Sequence, residues 1–135
     1  MEYKMLKRIA AIILLAALVF TLCSCGGKPE KTTDAMYQIG LNALSTADDY
    51  IEGKMSGSDA EQRIDEFYTQ AKAQLEQDKK DAGKETLTGT EYFNDWMIEC
   101  DVFNLWYWIG SASRGTSAMS DVRKYRDSLA KTLGK

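Results

Sequence analysis

From about residue 34 to the end of the chain, apolar side chains recur at intervals of three and four, the spacing that gathers them on one face of an α-helix. In the first run, residues 34–54, Met36, Ile39, Gly40, Ala43, Leu44, Ala47, Tyr50 and Ile51 share a face. Gly53 supplies a stop, because glycine accepts the left-handed conformation of a helix C-terminus. A second run places Ala60, Ile64, Phe67, Ala71 and Leu75 inward and opens on Ser58-Asp59-Ala60-Glu61. That is a capping box, whose hydroxyl and carboxylate satisfy amides exposed at a helix start. Glu76 and Lys80 are spaced as a helical ion pair. Residues 78–90 mix charges with Gly83 and Gly89, which predicts a solvated loop with at most a short strand at 85–88. A second capping box at 88–91 opens a third helix running to about residue 112, and Arg114-Gly115-Thr116-Ser117 ends it. A fourth helix carries Ala118, Val122, Tyr125, Leu129 and Leu133 on one face. The expected fold is all-α, a small antiparallel bundle of about four helices over residues 34–135.

The third helix is unlike the others. At about 100° per residue, Tyr92, Phe93, Trp96, Cys100, Phe103 and Tyr107 fall within about a third of the circumference and predict the core stripe. A second apolar group, Ile98, Val102, Leu105 and Ile109, occupies the far side. The helix thus becomes apolar nearly all round toward its end, and helices of that kind are buried. Trp106 and Trp108 flank Tyr107 on opposite sides and cannot both sit at the centre of one stripe. Either they are wedged at seams between helices, or one of them belongs to an exposed aromatic patch that binds a protein, glycan or lipid surface. Self-association through the same surface is a third outcome.

Ahead of the bundle, MEYKMLKR is basic, and residues 9–22 form fourteen positions without charge, glycine or proline. Fourteen is short for a bilayer span, which takes about 20 residues, and suits the apolar region of a secretory signal. Next comes Leu22-Cys23-Ser24-Cys25-Gly26-Gly27. The order of basic run, apolar run, aliphatic residue, small residue and cysteine resembles the lipobox of bacterial lipoproteins. In that pattern Leu22 and Ser24 precede the cut and Cys25 is acylated, although Cys23 stands where Ala, Ser or Thr is commoner. The resemblance implies removal of residues 1–24 as a signal peptide, export, diacylglycerol on the Cys25 sulfur and attachment to the extracytoplasmic face of the cell membrane. Two acyl chains suffice for stable anchoring, each buried methylene contributing about 0.8 kcal/mol. The alternatives are an N-terminal membrane helix and a cleaved signal without lipid. Residues 25–33 are small and polar, include the sole proline, and predict a flexible tether.

Composition narrows the function. Without residues 1–24 the chain has 14 basic and 19 acidic residues, a net charge of −5, and offers no basic stripe for nucleic acid. Histidine is absent, which removes the commonest general base and metal sites built on imidazole. With Cys25 lipidated, Cys100 has no disulfide partner. No cofactor is expected. Glu91, Asp95 and Glu99 recur every fourth residue and, with Asp101, are the candidates for acid–base work or calcium, but charge at that spacing usually marks a wetted helix face. Arg123 and Arg126 suit an acidic ligand or pairing with Asp121 or Asp127. The serines and threonines at 111–120 suit turn and cap chemistry. The whole resembles small helical lipoproteins of Gram-positive bacteria, a likeness that carries over no functional residue beyond Cys25. The expected function is a non-enzymatic, lipid-anchored binding or adaptor module with Trp106 and Trp108 as candidate binding residues and an envelope protein or glycan as partner. The alternatives are a small envelope hydrolase using the third-helix carboxylates and a self-protection or exclusion lipoprotein.

Overall fold

The computed structural model describes residues 27–135. The leader and Cys25 lie outside the described residues. Four helices follow in order: α1 (Asp34–Ile51), α2 (Gly57–Ala82), α3 (Phe93–Ser113) and α4 (Met119–Thr132). Among the described residues there is no strand, and 85–88 form part of an irregular connection.

Local chemistry sets the ends of the helices. Thr33 caps α1, its hydroxyl accepting from the Met36 amide at 3.2 Å. Ser56, rather than Ser58, caps α2 by accepting from the Asp59 amide at 3.1 Å. The second helix also runs into the predicted loop, because the inward spacing of Ala71 and Leu75 continues through Asp78 to Ala82. It ends at Gly83, whose φ of 64° is the left-handed cap and whose amide returns to the carbonyls of Lys79 and Lys80. Those two lysines lie in the last turn, where positive charge opposes the helix dipole. Lys79, not Lys80, meets Glu76, at 2.9 Å. No side chain caps α3. Thr90 instead braces the turn before it, donating to the Leu87 carbonyl at 2.7 Å and accepting from the Tyr92 amide at 3.2 Å.

Each helix runs opposite to the one before it. α1 and α3 touch through the middle of the bundle, while α2 and α4 lie on opposite sides and do not meet. The core joins Met36, Ala43 and Ala47 of α1, Ile64 and Ala71 of α2, and Val122 and Leu129 of α4, with Leu133 just beyond. At Gly40 a Cβ would stand 2.8 Å from Leu133 Cδ2 and 3.2 Å from Ile98 Cγ2, so the missing side chain brings α1 against α3 and the end of α4.

On α3 the two apolar faces have exchanged the expected roles. Ile98, Val102, Leu105 and Ile109 are fully buried. Trp96, Phe103 and Tyr107, expected inside, are 41%, 39% and 52% exposed, and Tyr92, Phe93 and Cys100 are half-buried. The reason lies in the partners. Between larger aliphatic residues α1 and α2 present Gly40, Ala43, Ala47, Ala60 and Ala71 to the interior, and small residues let helices approach closely, which suits branched aliphatic side chains better than rings.

The polar segment before α1 is tied down at its end. Thr32 is buried, the Asn94 amide donates to the Lys31 carbonyl at 3.1 Å, and the Asn94 side chain reaches Thr32 Oγ1 at 2.8 Å and the Thr132 carbonyl at 3.2 Å. Residues 31–33 are therefore packed on the start of α3 and the end of α4.

Candidate binding site

The outward face of α3 is an aromatic ridge. Trp96, Phe103 and Tyr107 occupy positions i, i+7 and i+11, so at 1.5 Å per residue the rings extend over about 16 Å of helix. Tyr68 of α2 flanks them, its ring 5.4 Å from Phe103 and stacked on Trp106 at 5.8 Å with planes 16° apart. Lys72 Nζ lies 4.4 Å from the Tyr68 centroid, in reach of a cation–π contact. Phe93 packs on Trp96 at 5.7 Å, and Tyr107 meets Trp108 edge-on at 5.0 Å.

Trp106 and Trp108 are both half-buried. Trp106 sits at the seam with α2, and Trp108 lies on the opposite flank, in a shallow hollow of about 190 Å³ shared with Ala118 and Asp121. They are the two edges of the ridge, and its open rings are the three expected in the core. The missed signal was the run of small residues on α1 and α2, which told which face of α3 had to be slim.

At its N-terminal end the ridge falls into a cleft of about 560 Å³ between α2, the 85–88 connection and α3. Trp96, Leu75 and Leu87 supply apolar wall; Lys72, Lys79, Glu76, Glu85, Glu99, Thr86 and Thr88 supply polar groups. The volume falls in the range of about 300–1,000 Å³ typical of small-molecule pockets. Glu99 is half-buried; burial holds its carboxyl above the usual range, opposed by Cys100, Lys72 and Lys79.

The other third-helix carboxylates go elsewhere. Glu91 is exposed; Asp95, expected on a wetted face, is buried, and so is Asp101. Asp101 accepts from Ser128 at 2.7 Å and Thr132 at 2.8 Å; burial pushes its pKa up and these two hydroxyls oppose the shift. Asp95 accepts from the Thr33 amide at 2.8 Å and the Thr33 hydroxyl at 2.6 Å. Behind it lies Asp78 of α2, also fully buried, whose Oδ1 accepts from Gln74 at 2.8 Å and whose Oδ2 has no other donor to meet. Burial first, then the hydrogen bond to Asp95, pushes Asp78 up to about 7. Holding its proton, Asp78 becomes a donor aimed toward Asp95, which accounts for the orphaned oxygen, since only the protonated acid is a donor. Asp78 was expected in a loop, although it stands at the next inward position after Leu75.

Cys100, beneath the ridge, has its thiol pushed up to about 11 by burial and then by Glu99, which leaves little thiolate at neutral pH. Arg126 forks onto Asp48 of α1 at 2.6 and 3.2 Å and also meets Asp127 at 3.3 Å, so it joins α4 to α1; Arg123 is exposed. Ser111 and Thr116 bond to each other across the α3–α4 turn. Among the described residues no group of three or more Asp, Glu or Cys is placed to hold a metal ion, and no helix is long and apolar enough to cross a membrane. Comparison with protein-family models, curated proteins and solved structures finds no match.

Proposed function

We propose that the protein is a non-enzymatic binding module, held at the extracytoplasmic face of the membrane by lipid on Cys25 and using the outward face of α3 to engage a component of the cell envelope. The observation that carries the binding half is the ridge itself. Among the described residues Trp96, Phe103, Tyr107 and Met97 are the large apolar side chains most open to solvent, and all four belong to one helix. Exposed aromatic side chains gathered on one helix face, as Trp96, Phe103 and Tyr107 are, mark candidate interaction sites. The anchoring half rests on the lipobox-like order of residues 1–25. The hydrolase alternative rests on third-helix carboxylates, and of Glu91, Asp95, Glu99 and Asp101 only Glu99 lines the cleft; its neighbours there, Glu76 and Glu85, come from α2 and the 85–88 connection, and Glu76 is paired with Lys79, so the third helix supplies no pair.

Two measurements test the reading. Mass spectrometry of the native protein should find an N-terminal Cys25 bearing diacylglycerol, and Cys25→Ser should leave the membrane fraction; an intact residue 1 or a bare thiol overturns the anchor. Co-sedimentation of the chain with isolated envelope should fall in Phe103→Ala/Tyr107→Ala with circular dichroism unchanged. Undiminished co-sedimentation overturns the role of the ridge.

A further inference from the structure

The cleft at the N-terminal end of the ridge has the chemistry of a particular ligand class. Its charged lining is two lysines against three glutamates. Lys79 is already paired with Glu76, and Lys72 offsets only one of the two remaining carboxylates, Glu85 and Glu99, so the cleft is mildly acidic. A phosphate polymer or other polyanion meets repulsion there, and in a domain of negative net charge it gains no compensating field. A wholly apolar ligand would cover ammonium and carboxylate groups without giving them partners, at a cost of several kcal/mol for groups of this kind.

We propose, building on the binding reading above, that the Trp96 cleft takes a short uncharged oligosaccharide. Hydroxyls both donate and accept hydrogen bonds, so one sugar ring can serve Lys72, Glu99, Thr86 and Thr88 together. The indole of Trp96 offers its electron-rich face to the C–H face of the ring, whose hydrogens carry the complementary partial charge. The cleft adjoins the ridge through Lys72, which lies over Tyr68, whose ring meets Phe103, and Phe103 and Tyr107 stand about 10 and 16 Å from Trp96 along α3. Additional sugar rings lie on these platforms, so affinity increases with chain length until the ridge is covered.

The test uses the full chain in a zwitterionic detergent free of sugar, titrated calorimetrically with N-acetylglucosamine oligomers of two, four and six rings and with a sulfated polysaccharide. The neutral oligomers should bind, with six rings tighter than two. Trp96→Ala should weaken binding by at least about tenfold, as loss of a central aromatic contact does, while Trp96→Phe keeps part of it and both variants keep the wild-type circular dichroism. Tyr107→Ala should affect six rings and leave two rings unchanged. No binding of any neutral oligomer, equal binding by Trp96→Ala, or preference for the sulfated chain overturns the assignment. If envelope co-sedimentation still depends on Phe103 and Tyr107 while the oligomers fail, the ligand class is wrong and the binding module stands; if neither is seen, both fall.

Discussion

The inner and outer faces of α3 carry comparable amounts of hydrocarbon and do opposite things. The inner face is aliphatic and fully buried, and the outer one is aromatic and open. Burial of apolar area would by itself favour the rings inside, since each offers more of it. Close packing against alanine- and glycine-lined helices outweighs that gain, because an overfilled interface loses about 1–3 kcal/mol to strain. A core is thus chosen jointly by its elements, and rings left out by that choice form a surface of their own.

The contrast can be broken most severely from inside. Leu105→Ala empties space around a fully buried side chain and should cost about 2–5 kcal/mol, read as a lower urea midpoint at unchanged slope. Acidity gives the next effect. An unfolded aspartate ionises near 3.9, whereas Asp78 in the fold holds its proton to about 7. Its contribution is present in full below about pH 4 and is lost as pH rises through about 7. Urea midpoints should decline between about pH 4 and 7 and level off above, by a loss on the order of 1–4 kcal/mol. Asp78→Asn, which donates to Asp95 at any pH, should flatten that slope even though Glu99 and Asp101 remain. A subtler probe is Cys100, on the outer side. With its thiol at about 11, alkylation at pH 8 should be at least about tenfold slower than for a free cysteine, and should speed up to the free rate in urea. The smallest effect belongs to the ridge: Tyr107→Ala should change stability by no more than about 0.5 kcal/mol. A loss comparable to that of Leu105→Ala would mean that the outer face is core after all.

How much of this was legible varies with the helix. On α1 and α4 one face is apolar and the other polar, so spacing alone identified Met36, Ala43, Ala47, Val122, Leu129 and Leu133 as interior. Along α3 both faces are apolar, spacing cannot tell them apart, and the aromatic stripe that spacing predicted as core is the open one. Asp78, Asp95 and Asp101 escaped for a different reason. A carboxyl is interior only when a proton, an amide or hydroxyls from distant segments meet it, and here these come from residues up to 62 positions away. Trp106 and Trp108 were correctly seen as unable to share one stripe, but what each faces depends on Tyr68 and Ala118, which no local pattern brings near. The cleft depends on the 85–88 connection folding back beside Trp96, and that too is tertiary.

The clasp of Asp95 on Thr33 fixes where any leash enters the domain, beside the first turn of α3 and at the same pole as the Trp96 hollow. With Cys25 lipidated as proposed, six residue steps lead from it to Lys31, where Asn94 already holds the chain, a fully drawn span of about 20–22 Å. The hollow then patrols a shallow zone just above the headgroups, and whatever it captures must be presented there rather than deep in the wall.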